Sequence, residues 1–353
     1  MESQSYFNKR NEENILKLRE LRKELPAFCF DFFRGIEPYT TPLTRVGYAR
    51  DLLTFFRFLT TEVSQFYGRA TTDFDISDLN KITSSHLEMF MEYLSLYKYN
   101  GKVIRNGDKS RSRKLSSIKS MLNYFFKKDK LDSNIATKID TPKIRESEII
   151  RFEHNEMIDF LNVVSSADNM TKMQQGFHKH TKLRDEAMMK LFLGTGIRIS
   201  ECVGLDIEDL DFKQNAFTVT RKGGSRVILY FNDEVSEALQ EYLQKDRLVN
   251  SAVPKSERAL FLSIQNKRIG VRAVEKLVKK YSAVVTPLKH ITPHKLRSTF
   301  GTNLYRSTND IYVVASVLGH KDVNTTRKHY AAITDDIRRS AATKVKLTEN
   351  SES

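Results

Sequence analysis

The chain has 353 residues, about two domains at roughly 150 residues each, and its 58 Lys and Arg outweigh 44 Asp and Glu for a formal net charge of +14. That balance favours a polyanionic partner, either nucleic acid or an anionic membrane surface. No run of about 18 apolar residues is present, which excludes a membrane-spanning helix.

Cys29 and Cys202 are the only cysteines. They exclude a disulfide framework or a zinc site of their own and fit a reducing, cytoplasmic setting. Met1 to Glu13 is polar and carries acids, unlike a secretory signal or an Arg-rich transit peptide. Gly (14) and Pro (7) are scarce, so helices should dominate.

Residues 1–25 read as a charged helical extension. A helix capped by Thr44 follows, with Val46, Ala49, Leu53, Phe56 and Leu59 on one face. The next starts near Thr83 to Ser85, where Ser85 and Glu88 have capping-box spacing, and carries Leu87, Phe90, Met91, Leu94 and Tyr97. Lys98 to Asp108 holds Asn100-Gly101 and Asn106-Gly107 and reads as a turn-rich connection. A third helix, Ser112 to Lys127, turns Leu115, Ile118, Met121, Leu122 and Phe125 inward. Between Lys102 and Arg145 there are 13 Lys and Arg against four Asp. Within this basic segment Lys109, Arg111, Arg113, Lys114 and Lys119 are candidate phosphate contacts, weighed evenly against a solvated helix face.

Residues 142–149 read as a linker between a helical domain (26–141) and a second domain (150–334). The second domain opens with a short helix, Asn155 to Val164. A polar loop, Ser165 to Thr181, holds His178 and His180 as surface residues. An apolar helix, Arg184 to Leu193, stops at Gly194 and Gly196. Asn215 to Thr220 and Arg226 to Phe231 flank a Gly pair as a β-hairpin. Helices are expected at Asp233 to Arg247, Val271 to Tyr281, Pro293 to Tyr305 and Ile311 to Leu318. In the tail, Ile333, Ile337, Ala341 and Val345 step by four, so residues 335–353 should hold an amphipathic helix.

Three strings share one explanation: Arg198 with Glu201 after Gly196, His294-Lys295-Leu296-Arg297, and Leu318-Gly319-His320 followed by Tyr330. With Lys222 in the hairpin turn, their order resembles the tyrosine recombinase family of Xer, Cre and phage-integrase proteins. Tyr330 lies ten residues after His320, where nine is the commoner spacing. The resemblance implies a mainly α chain with a small β-sheet in its C-terminal domain. That is a helical SAM-like core-binding domain followed by a tyrosine-recombinase catalytic domain.

It also implies the chemistry. A phenol with a pKa near 10 is a weak nucleophile until activated. Attack on a DNA phosphodiester builds charge on oxygens that guanidinium forks hold well. Those forks are assigned to Arg198 and Arg297, and the nucleophile to Tyr330. Lys222 would protonate the leaving 5′-oxygen. His294 would donate a hydrogen bond or accept the Tyr330 proton. His320 would donate to a phosphate oxygen, and Glu201 would orient the set. Arg221 and Lys295 are candidate DNA contacts, with Arg221 a rival to Lys222. No metal and no cofactor are expected.

The implied partner is double-stranded DNA with paired half-sites, bound by a homotetramer on two sites. The tail would dock on its own body or on a neighbouring protomer, the family arrangement being the second. The competing readings are an inactive DNA-binding regulator of the same fold and a type IB topoisomerase.

Overall fold

The computed structural model describes residues 6–141, 150–221, 224–254, 256–319 and 323. The chain divides into two compact units, residues 1–147 and 148–353. Helices dominate both, and each holds one small antiparallel sheet.

In the first unit the order is α1 (Tyr6–Arg22), α2 (Cys29–Gly35), α3 (Pro42–Glu62), α4 (Ser84–Tyr93), β1 (Leu96–Tyr99), β2 (Lys102–Arg105) and α5 (Asp108–Phe126). α1 packs on α3. Leu18 and Leu25 are buried in the same cluster as Phe32, Phe55, Phe56 and Phe90. Residues 6–25, read as an extension, thus supply Leu18 and Leu25 to this core, and burying one Leu contributes about 1.5–3 kcal/mol.

α3 begins earlier than expected. Thr41 is its cap, accepting from the Thr44 N–H at 3.3 Å, and Pro42 occupies the first helical position, where its missing N–H costs nothing. α4 is capped by Thr83 rather than Ser85. The Thr83 hydroxyl accepts from the His86 N–H at 3.3 Å, and His86 Nδ1 accepts from the Thr83 N–H at 3.2 Å. An accepting ring nitrogen must be neutral, in line with burial lowering the His86 pKa.

The expected turn-rich connection is a hairpin. β1 pairs with β2 from Leu96↔Arg105 to Tyr99↔Lys102, around Asn100 and Gly101 at φ 49° and 73°. Two consecutive positive φ values fit the Asn-Gly turn that suits strand twist.

The second unit runs α6 (His154–Ser166), α7 (Lys172–His178), α8 (Lys182–Thr195), α9 (Ile199–Gly204), β3 (Leu210–Asp211), β4 (Ala216–Thr220), β5 (Arg226–Tyr230), α10 (Asp233–Tyr242), α11 (Val271–Val285), α12 (Pro293–Thr308) and α13 (Ile311–Leu318). α8 is the central helix, with α6, α10 and α12 packed on it. It is apolar on most sides, as a surrounded helix must be: Ala187, Met188, Met189, Leu191 and Phe192 are all buried. The sheet order is β3-β4-β5. Phe217↔Leu229 and Val219↔Val227 form its inward face.

The polar loop expected over Ser165 to Thr181 contains α7, capped by Thr171. His178 is not a surface residue. It is buried, with Nε2 2.7 Å from the Val164 carbonyl and its ring edge-on to Tyr281. Cys29 and Cys202 are buried free thiols, and burial pushes the pKa of each upward, the opposite of a reactive cysteine.

One buried charge centre ties α8 to α11. Asp185, fully buried, accepts from Arg184 Nε (2.9 Å) and Nη2 (2.6 Å), Thr181 Oγ1 (3.1 Å) and the Tyr281 hydroxyl (2.6 Å). Removing the carboxylate strands a buried guanidinium and two hydroxyls. Asp185→Ala should therefore destabilise this unit by about 3–5 kcal/mol. Urea unfolding checks this, and a loss under 1 kcal/mol would contradict it.

Candidate active site

Two helix ends of the second unit build the site. α8 stops at Gly196, which holds the left-handed φ of 62° while its N–H reaches Phe192 O at 3.0 Å. α13 stops at Gly319, also at φ 62°. Each stop leaves carbonyl oxygens facing out of the last turn, at the negative end of the helix dipole. Three arginines from three segments converge on them.

Arg198 stands immediately before α9. Its backbone N–H donates to Glu201 Oε2 at 3.0 Å, and its Nη1 donates to Glu201 Oε1 at 2.9 Å. Nη2 reaches the carbonyls of Leu318 (3.4 Å) and Gly319 (3.3 Å). Glu201 is buried, so its carboxylate both closes the start of α9 and aims the guanidinium.

Arg297 lies on α12, one turn after His294, and is only 5% exposed. Its Nη1 donates to Gly196 O and its Nη2 to Leu318 O. One side chain thereby bridges the ends of α8 and α13. His294 is exposed on the first turn of α12, and Lys295 beside it is half-buried.

Arg221 comes from the hairpin between β4 and β5. Its backbone N–H donates to Ser225 O at 2.8 Å, closing the turn, and Gly224 is at φ 85°. Its Nη2 lies 3.5 Å from Val317 O. Its Nε is buried with no acceptor. Burial and then the neighbouring Arg198 lower its pKa, opposed by Glu201. Among the described residues, three guanidiniums and one carboxylate gather here, and burial weighs on the Arg221 charge. An arriving oxyanion would relieve that repulsion.

Gly319 is required twice. Its φ disfavours any side chain, and a Cβ there would land on the Arg221 guanidinium. Gly319→Ala should displace Arg221 and lower turnover at least tenfold with the fold retained. Single-turnover kinetics and circular dichroism check this, and unchanged rates would contradict it.

The structure brings together Arg198, Glu201, Arg221 and Arg297. Lys222, His320 and Tyr330 lie outside the described residues. Arg221, read as a candidate DNA contact and a rival to Lys222, is half-buried against the end of α13. The signal in the sequence is Gly319, a residue type that both ends a helix and admits a close neighbour.

The remaining cations sit on α5 of the first unit. Lys109 is exposed. Arg111 is held by Met91 O (Nε, 3.1 Å) and Asp108. Arg113 and Lys114 both pair with buried Asp51, whose Oδ2 also accepts from Ser117 at 2.7 Å. Lys119 donates to Ile139 O. Of the candidate phosphate contacts, Lys114 and Lys119 turn onto acceptors of their own unit.

Comparison with known proteins agrees with this geometry. Residues 144–336 match the phage integrase family model. Tyrosine recombinase XerC of Caldanaerobacter subterraneus subsp. tengcongensis is 32% identical over 88% of this chain and 83% of its own. Tyrosine recombinase XerS of Streptococcus uberis is 28% identical over 93% and 98%.

Among solved structures, the Tn1549 transposon integrase in complex with circular intermediate DNA superposes with a TM-score of 0.63 at 20% identity, covering 90% of this chain and 99% of that one. The XerH site-specific recombinase bound to palindromic difH substrate gives 0.61 at 18%, covering 82% and 76%. Fold and site define an enzyme of the tyrosine recombinase class. The chain belongs to the phage integrase family.

Proposed function

We propose that the chain is a Xer-like site-specific DNA recombinase that cuts and rejoins duplex DNA through a 3′-phosphotyrosine at Tyr330. The observation that carries this is the gathering of Arg198, Arg221 and Arg297 on the last carbonyls of α13, directly before His320. The Tyr330 oxygen attacks phosphorus and the 5′-oxygen leaves. Arg198 and Arg297 hold the nonbridging oxygens, placed in advance so that they favour the transition state. Lys222 gives its proton to the leaving oxygen. His294 takes or shares the phenol proton, and His320 donates to a phosphate oxygen. Arg221 positions the turn that carries Lys222. The phosphotyrosine ester conserves the bond energy, so a 5′-hydroxyl of a second strand reverses the step without ATP. Four protomers on two DNA sites, each made of paired half-sites, exchange strands through a Holliday junction, with the tail after residue 334 docked on a neighbour. Lys109, Arg113 and Lys295 contact backbone phosphates.

A nicked suicide substrate should trap a covalent adduct at the same yield with and without EDTA. Loss of the adduct in EDTA would overturn the metal-independent route. Relaxation of plasmids that lack any recognised site would favour a topoisomerase instead. Truncation from residue 334 should leave cleavage intact but abolish the four-protomer complex in native gels. Unchanged assembly would remove the tail exchange.

A further inference from the structure

A second cationic centre lies in the first unit. Where α1 meets α2 and the start of α3, a cavity of about 340 Å³ is lined by Arg19, Arg22, Arg34 and Arg45, the carboxylate Glu37 and the Phe30 ring. Four guanidiniums and one carboxylate line it, and at the rim Arg34 also lies 3.6 Å from Asp31.

Arg45 is 5% exposed. A charge so enclosed is costly unless paired, and its pairing is incomplete. Its Nη1 lies 2.9 Å from Glu37 Oε1, but Nε and Nη1 both lack an acceptor in hydrogen-bond geometry. Glu37 itself is mostly in solvent. Arg22 lies 4.0 Å over the Phe30 ring, and its Nε is also buried without an acceptor. Burial, Arg34 and Arg19 all lower the Arg22 pKa, as gathered like charges do. Planar guanidinium forks suit tetrahedral oxyanions.

We propose that this cavity binds a small phosphate-class oxyanion, either free phosphate or a small phosphomonoester. Arg45 and Arg22 meet its oxygens inside, and Arg19 and Arg34 close the rim. A duplex backbone lies along a surface and cannot reach the enclosed Arg45, so a small ion is the occupant. The site lies wholly within residues 15–45 and is independent of the recombinase chemistry.

The chain contains no tryptophan, so Phe30→Trp places a single tryptophan, excited selectively over tyrosine, in the cavity wall of the full-length protein. Titration with inorganic phosphate should give a saturable change that chloride at matched ionic strength does not. Phenyl phosphate should do the same. Arg19→Gln/Arg34→Gln, at two exposed rim positions, should raise the half-saturating concentration at least tenfold, and Arg297→Ala should not move it. With Phe30 retained, phosphate should raise the unfolding midpoint above matched chloride, and the rim variant should remove that rise. Absence of saturation, or equal effects of chloride, would overturn the proposal. Displacement of phosphate by a short DNA duplex would also overturn it, by assigning the cavity to the DNA backbone.

Discussion

Tyr330→Phe should bind DNA as tightly as the native chain and form no covalent adduct with a nicked suicide substrate. The substitution removes one oxygen atom and no charge. Binding, set by cations elsewhere, should stay within about twofold. The chemical step should vanish, because a phenyl ring offers nothing to attack phosphorus. Denaturing gels read the adduct and mobility shifts read binding. An adduct of normal yield would mean that another side chain is the nucleophile.

Arg297→Ala should slow cleavage by at least ~100-fold, the typical loss of one oxyanion donor. Arg297 also holds Gly196 O and Leu318 O, so truncation strips Gly196 O of this donor, leaves Leu318 O with only the 3.4 Å contact from Arg198, and should cost about 1–3 kcal/mol of stability. The two effects separate with Arg297→Lys. An ammonium keeps the charge but not the planar fork, so Arg297→Lys should remain far slower than the native chain while the unfolding midpoint recovers in part. Single-turnover rates measured beside thermal unfolding check this. Native rates in either variant would contradict the assignment.

Much of the helical framework was legible because local signals agreed. α13 is bounded by Asp310, whose carboxylate accepts from the N–H groups of Tyr312 and Val313, and by Gly319. Both are residue types with a physical preference for helix ends. α7 was hidden, because Lys172 to His178 is mostly polar and contains Gly176. The β1–β2 hairpin was hidden because its strands are mostly exposed and show no alternation, although Asn100-Gly101 was in view. The family was legible in the order of its motifs. The geometry of the site was not. Nothing local to Arg221 shows that the hairpin brings it to Gly319, and nothing local to Arg297 shows that it bridges two helix ends. Both follow from packing between segments some 100 residues apart in the chain. The same holds for α5, where Asp51, more than 60 residues earlier, claims Arg113 and Lys114.

The most direct measurement is to locate the covalent bond itself. The native chain is trapped on a suicide substrate, digested with protease and nuclease, and the nucleotide-bearing peptide is sequenced by mass spectrometry. The account predicts a phosphate ester on Tyr330, joined to the 3′ side of the break. A nucleotide on any other residue, or a 5′-linked one, would contradict it.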